Sequence, residues 1–384
     1  MKFIHIGDLH LGKSLGDFDL INDQKYILDQ ILMDIEREKA DGLLIAGDVY
    51  DRAVPSEEAV RLLDYFLNRL SEMGIYVFLI SGNHDSDDRL NFGRNFFKDR
   101  KVFISSVFNG HLEKYTVSKD GVEADVYLMP FIKASVVRRF YPDADIETYE
   151  DAVRTVIEDA SPDPDRTNIL VAHQFVTGGD DPVLSGSEGI GTLNVGTVEK
   201  IDWKCFDNFN YVALGHIHSP QKVGREAVRY SGSILKYSLS ETDSIKSAPV
   251  ITIDGNGVSD ISLLDLSPVR DLRHLRGKLS EITNPDYVHD ESDFIYATLT
   301  DEDYIENAIS ILRQVYPNTV KLDYDNSHTR ALETVDIANV SNAVPFDELI
   351  GDFYKKMCGN EISEEEMSVM RDAAREAGII NEAD

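Results

Sequence analysis

Met1-Lys2-Phe3-Ile4-His5-Ile6-Gly7-Asp8-Leu9-His10 opens the chain, an apolar run that ends in a glycine, an aspartate and a histidine. Four later blocks follow the same plan: Gly47-Asp48 after LLIA, Gly82-Asn83-His84-Asp85 after FLIS, Ala172-His173 after ILV, and Gly215-His216-Ile217-His218 after YVAL. Each apolar run reads as a buried strand. Helical spacing fills the intervals: Ile27, Leu28, Ile31, Leu32 and Ile35 within 21–40, then Val60, Leu63, Leu67 and Leu70 after a start at Ser56-Glu57-Glu58. Strand–helix–strand–helix–strand alternation predicts an α/β fold with strands in the centre. In such folds ligands collect beyond the carboxyl ends of strands, where all five blocks stand.

Further strands are expected at about 124–129, 168–172, 211–214, 226–230 and 249–253, and helix within 135–160. Residues 177–196, with six glycines, read as a long surface loop. A linker is expected near 266–275. Beyond it, FIYATLT (294–300), a helix over 302–314 and TVKLDYD (319–325) make a β–α–β unit. In PFDELIGDFYKKMCG (345–359), Phe346, Leu349, Ile350, Phe353 and Met357 form one apolar stripe, and a mostly polar helix from Ser363 to Ala377 follows. The expected divisions are 1–266, 275–335 and 343–384.

The chain has 384 residues and a net charge of −31. After Arg270 there are 25 acidic and 10 basic residues, so the tail is the more acidic part. That balance repels bulk nucleic acid and suits a basic partner or a solvated surface. No run of about 18 apolar residues predicts a membrane span. No basic stretch followed by a long apolar one opens the chain, and two distant cysteines, Cys205 and Cys358, suit a reducing cytoplasm.

The blocks supply hard oxygen and imidazole donors and no thiolate, a set that suits Mn²⁺ and is shared by Fe²⁺ and Zn²⁺. One ion is assigned to Asp8, His10, Asp48 and His218, the other to Asp48, Asn83, His173 and His216, with Asp48 as the bridge. A two-metal site points to phosphoester hydrolysis: the ions lower the pKa of a bound water, neutralise phosphate and fix the in-line geometry. His84 has no metal in this scheme and is set to protonate the leaving oxygen. Asp85 is expected to hold the His84 ring. Arg52 is set to contact phosphate, with Asp51 beside it as an orienting group. His5, inside the first strand, reads as a core histidine. Each block alone is weak; the five in order are not.

The blocks GDLH, GDVYD, GNHD, AHQF and GHIH resemble the calcineurin-like metallophosphoesterase superfamily. Within it, YVALGHIHSPQ (211–221), RYSGSILKYSLSE (229–241) and FVTGG after His173 are similar to the SbcD nuclease family. The resemblance runs from Met1 to about Leu266 and thins beyond. It implies a four-layer β-sandwich flanked by helices, a small α+β capping domain and C-terminal helices. It also implies a Mn²⁺-dependent nuclease that trims double-stranded ends 3′ to 5′ and nicks single-stranded or hairpin DNA in repair, recombination and replication. The implied partner is an SMC-like ATPase of the SbcC type, through which alone ATP enters. The stripe 346–357 would lie in a groove of that ATPase or else pack against its own domain, and a homodimer would form through helices flanking the nuclease domain, with 56–73 the candidate unless its apolar face belongs to the core. Archaeal and eukaryotic relatives carry a histidine three residues after the bridging aspartate, where this chain has Asp51. The competing reading is a small-molecule phosphodiesterase, nucleotidase or protein phosphatase on the same scaffold.

Overall fold

The computed structural model describes residues 1–180, 182–186, 200–286, 288–327, 329, 347, 350–351, 354 and 362–376. It divides into two compact units, Met1–Asp323 and Tyr324–Asp384.

The first unit is built on two six-stranded sheets of the same design. In chain order the elements are β1 (Lys2–Ile6), α1 (Ile21–Glu38), β2 (Gly42–Ala46), α2 (Glu57–Met73), β3 (Tyr76–Ile80) and β4 (Val102–Ser105). Next come β5 (Glu113–Lys119), β6 (Val122–Met129), α3 (Tyr149–Ala160), β7 (Asn168–His173), β8 (Tyr211–Gly215), β9 (Gln221–Val223) and β10 (Arg225–Tyr230). The chain then returns to the first sheet with β11 (Ser247–Asp254) and β12 (Gly257–Asp265). The first sheet runs β12-β11-β1-β2-β3-β4, and the second runs β9-β10-β8-β7-β6-β5. Each has four strands paired in parallel; the first sheet adds antiparallel β11 and β12 on one side, and the second adds antiparallel β9 and β5, one at each edge.

Alternation along the strands sorts side chains into layers. Phe3, Leu44, Ala46, Phe78 and Ile80 of the first sheet meet Val126, Leu128, Ile169, Val171, Tyr211 and Ala213 of the second in one buried cluster. The opposite face of the first sheet packs Ile4, Leu43, Ile45 and Leu79 under Ile27, Ile31, Phe66 and Leu70 of α1 and α2. The outer face of the second packs Leu170, Val212 and Leu214 under Val153, Val156 and Ile157 of α3. The result is a four-layer α/β sandwich. Each fully buried Leu, Ile, Val or Phe contributes roughly 1.5–3 kcal/mol of transfer free energy.

The helix ends follow local chemistry. Ser56 Oγ accepts from Ala59 N at 3.2 Å to start α2, and Gly74 ends it at φ 69°. Thr148 and Asp151 form a reciprocal capping box on α3.

Several expectations shift. The helix expected within 135–160 is a short turn of helix at Ala134–Val137 followed by α3. Val60, expected on the apolar face of α2, is 45% exposed, whereas Leu62 and Phe66 are inside. That face packs into the outer core, so the helix offered for dimerisation uses it within the chain. The expected linker holds a strand, β13 (Leu272–Gly277), which pairs in parallel with β14 (Phe294–Leu299). The helix expected at 302–314 is α4 (Ala308–Val315), entered through Asn307 in the left-handed region, and β15 (Thr319–Tyr324) completes a three-stranded sheet. Arg270 ties this sheet to α1 by its ion pair with Asp23 and lies over the Phe294 ring at 4.4 Å.

In the second unit α5 (Glu364–Glu376) begins with a box in which Ser363 N donates to Glu366 and Glu366 N donates back to Ser363 Oγ. Arg371 pairs with Asp347 at 2.6 Å, and Ile350 is half-buried. Phe346, Leu349, Phe353 and Met357 lie outside the described residues, as does most of the expected 177–196 loop. Among the described residues no helix is long and apolar enough to cross a membrane.

Candidate metal centre

The five blocks meet at one end of the sandwich, in the seam between the sheets. The loops after β1 and β2 leave side by side: Asp8 N donates to Gly47 O (3.1 Å), His10 N to Asp48 O (2.9 Å) and Leu11 N to Val49 O (2.9 Å). The seam is tight enough to dictate glycine. A Cβ on Gly215 would stand 1.9 Å from Ala46 O and 2.8 Å from His173 Nδ1, and one on Gly82 would stand 2.1 Å from Asp48 Oδ1. Four residues of the blocks also hold left-handed backbone without being glycine: Asp8 (φ 51°), His10 (43°), Asp48 (47°) and His216 (100°). Such conformations cost about 1–3 kcal/mol each and persist where packing over-determines them. Here the neighbouring loops do so.

The donor atoms converge. His10 Nε2 and His218 Nε2 are 3.0 Å apart. Asp48 Oδ1 accepts from His84 N at 2.9 Å. Asp48 Oδ2 stands 3.6 Å from His10 Nε2 and 3.4 Å from His173 Nε2. Asn83 Oδ1 lies 3.0 Å from His173 Nε2 and 2.9 Å from His216 Nδ1. Asp8 Oδ1 accepts from His216 N at 2.9 Å. One group of Asp8, His10 and His218 and another of Asp8, Asp48 and His173 each bring their donor atoms within 4.8 Å of one another. Bonds of about 2.0–2.2 Å to one small divalent ion set neighbouring ligands roughly 3–4 Å apart, so the spacing fits a cation at either focus.

Electrostatics agrees with that fit. Burial pushes His10 and His216 down to about 3 and His218 well below the usual imidazole value, so these rings present lone pairs. His173 goes the other way, to about 9: burial opposes its charge, but Asp48 beside it outweighs burial. Burial alone would raise Asp48; the surrounding His173, His10 and His84 hold it well below the usual carboxylate range. A cation would take over the charge that the His173 proton supplies.

Around the donors the structure corrects one expectation and adds residues that the sequence reading missed. Asp85 does not hold the His84 ring. Its carboxylate accepts three backbone N–H groups, from Val49 (3.0 Å), Tyr50 (2.9 Å) and Gly82 (2.9 Å), tying the second block to the third. The carboxylate faces backward into the loops, because three N–H groups converging there outbid one ring. His84 Nδ1 instead donates to the main-chain carbonyl of Asp51 at 3.0 Å. The Asp51 side chain pairs with Lys13 (2.7 Å) and stands 3.6 Å from His10 Nδ1. Arg52 is 83% exposed at its side chain, at the rim.

Gln24 on α1 donates to the His10 carbonyl at 2.7 Å and to the Tyr237 hydroxyl at 3.1 Å. Lys246, buried, donates to the His218 carbonyl (2.8 Å), Ser233 Oγ (2.9 Å) and Glu241 Oε2 (2.5 Å). Glu241, within the SLSE run, was the one signal available for this network. His5 is a core histidine: its Nδ1 lies 3.1 Å from the Tyr211 hydroxyl, and burial pushes it down to about 3.

The calcineurin-like phosphoesterase model matches residues 1–220, and the model described as "Type 5 capsule protein repressor C-terminal domain" matches residues 268–357. The SbcD subunit of the nuclease SbcCD from Staphylococcus epidermidis is 34% identical over 371 residues, covering 95% of each chain. Among solved structures, a dimetal phosphatase from Danio rerio overlaps at TM-score 0.39 with 11% identity (70% of this chain, 99% of that one). The NAD nucleotidase of Haemophilus influenzae overlaps at 0.34 with 11% identity (93% and 71%). The assignment rests on the sequence matches: the chain belongs to the SbcD family of calcineurin-like phosphoesterases, metal-dependent phosphodiester hydrolases.

Proposed function

We propose that this chain is the nuclease subunit of an SbcCD-type complex, cutting DNA at ends and hairpins in repair and recombination. What carries the reading is the convergence of donors from both sheets, in a chain matched over 95% of its length by the SbcD subunit of such a nuclease. One ion is assigned to Asp8, His10, Asp48 and His218 and the other to Asp48, Asn83, His173 and His216, both Mn²⁺. Asp48 Oδ2 stands 3.6 Å from His10 Nε2 and 3.4 Å from His173 Nε2, so Asp48 would be shared by both ions. When bound, the ions supply a hydroxide near neutral pH and neutralise the phosphate.

The chain's own residues do the rest. His84, fixed through Nδ1 by the Asp51 carbonyl, turns Nε2 toward the substrate and delivers the proton to the departing 3′ or 5′ oxygen. Asp85 keeps the second and third blocks in register, and Arg52 at the rim takes a neighbouring phosphate. Residues 1–266 form the nuclease domain, 275–335 the cap and 343–384 the segment that docks an SbcC-type ATPase in the cytoplasm, with 346–357 as its apolar edge. The active form is a homodimer.

The test is turnover by the purified chain on linear duplex DNA and on bis-p-nitrophenyl phosphate. Mn²⁺-dependent cleavage of both is expected. His84→Gln should keep metal binding by calorimetry and lose about 10²–10⁴ in DNA cleavage. Turnover of the small diester alone would sink the nuclease reading.

A further inference from the structure

Three further parallel strands, β4, β6 and β10, end on the same side of the sheets as the motif blocks but carry no assigned metal donor. After β6 the chain reads Pro130-Phe131-Ile132-Lys133-Ala134-Ser135-Val136-Val137-Arg138-Arg139-Phe140-Tyr141, three cations and no acid in a chain of net charge −31. Ligands gather beyond the carboxyl ends of such strands. Phe131 N donates to Ser81 O at 3.0 Å, which lays this segment beside the Gly82-Asn83-His84-Asp85 block. Ile132 is buried, and its carbonyl accepts from Gln174 Nε2 at 3.2 Å, one residue past His173. Alternation about Ile132 turns Phe131 and Lys133 to the opposite side.

The Phe131 ring is half-buried against the two imidazoles assigned to the second ion. Its centroid lies 6.3 Å from that of His173, nearly perpendicular to it, and 6.5 Å from that of His216, with the planes 20° apart. Lys133 is exposed and holds Nζ 5.9 Å from the Phe131 centroid, at the outer limit of cation–π contact. Neither Lys133 nor Arg139 has an ion pair among the described residues, and Arg138 donates from Nε to Ala134 O at 3.4 Å. Five helical steps put the Arg138 backbone roughly 8 Å beyond that of Lys133, about two nucleotide steps along a strand.

We propose that Phe131 and Lys133 form a nucleotide subsite beside the metal centre: the ring takes the base next to the scissile phosphate, Lys133 takes the adjoining phosphate, and Arg138 and Arg139 continue the path. The inference rests on the nuclease reading and adds to it the part that tells a nucleic acid strand from any other phosphodiester. The metal donors grip only the phosphate, which every phosphodiester offers. An aromatic face takes a base of any sequence, and unpaired cations in an acidic protein draw a polyanion to that place.

The experiment compares the full-length chain with Phe131→Leu, Phe131→Trp and Lys133→Gln. Each is assayed with Mn²⁺ for kcat and KM on a labelled single-stranded oligonucleotide and on methyl p-nitrophenyl phosphate, which has no base. Mn²⁺ affinity is read by calorimetry. For Phe131→Leu the ratio of kcat/KM between oligonucleotide and methyl ester is expected to fall about tenfold, through KM, and to recover in Phe131→Trp. Lys133→Gln should lower the same ratio and reduce the slope of log affinity against log salt by about one. An unchanged ratio in Phe131→Leu and Lys133→Gln would overturn the subsite while leaving the nuclease intact. Equal losses on both substrates with weakened Mn²⁺ binding would make Phe131 a packing support for His173 and His216, and also overturn it. A parent chain that turns over the methyl ester but neither binds nor cuts the oligonucleotide would remove the nuclease reading and this one with it.

Discussion

The two six-stranded sheets share a core of four parallel-paired strands, yet they bring different chemistry to the seam. The first carries all the oxygen donors, Asp8, Asp48 and Asn83, and one imidazole, His10. The second carries only imidazoles, His173, His216 and His218. The first holds its donors by backbone: loops joined rung by rung and clamped by Asp85. The second holds its donors from behind. The His173 ring rests on the Ala46 carbonyl at 2.8 Å, and His218 sits on the Lys246 ammonium through its carbonyl. The lesson is a division of labour. Carboxylates need N–H groups to fix their angle, whereas imidazoles need one ring nitrogen or the main chain pinned so that the other nitrogen points inward.

The largest expected effect comes from removing the atom both sheets share. Asp48→Ala should lower DNA cleavage by on the order of 10⁴, about 5.5 kcal/mol, and weaken both metal sites in a calorimetric titration. Retention of two tight sites would break the comparison at its centre. Next comes the support under the second sheet. Lys246→Ala leaves the buried Glu241 without its ammonium and should cost about 3–5 kcal/mol in urea unfolding. Glu241→Gln/Lys246→Met together should recover more than half of that, and a fully additive double variant would show that the two do not act as a pair. Third, Mn²⁺ should join the sheets thermodynamically: at about 100 times its dissociation constant it should add about 2.7 kcal/mol, seen as a rise in Tm that chelator reverses. The smallest effect is at the rim. Arg52→Ala should weaken DNA binding at low salt and reduce the slope of log affinity against log salt by about one; an unchanged slope would place Arg52 off the phosphate path.

Much of this was legible in the chain because local patterns dictated it. Apolar runs at 3–6, 43–46 and 77–80, each ended by a motif block, read as central strands, and Gly47, Gly82 and Gly215 stand where the structure admits no Cβ. The edge strands were not legible. β5 and β12 alternate with polar residues and are half solvated, so their pattern resembles loop. β13 passed as linker because LRHLRG carries its two leucines amid charge, and only pairing with β14 makes it a strand. Asp85 was misplaced because neighbours in sequence are the natural first guess for a partner. Two of its three actual partners, Val49 and Tyr50, lie about 35 residues away in the chain. Lys246 has the same excuse: an isolated lysine after a serine-rich run carries no local mark of burial.

The spread of the donors, from Asp8 to His218, has a consequence for the newborn protein. A chain still on the ribosome that has delivered only the first sheet's crossovers holds the oxygen donors and a single imidazole ligand, His10, with nothing opposite them. Domains assemble as units once their residues have emerged, so the cutting centre cannot exist until the last imidazole is out and β11 has returned to close the first sheet. An unfinished chain is therefore expected to leave nearby DNA uncut. Ribosome-stalled chains ending before His216 should show no Mn²⁺-dependent cleavage, and cleavage by them would show that half of the seam suffices.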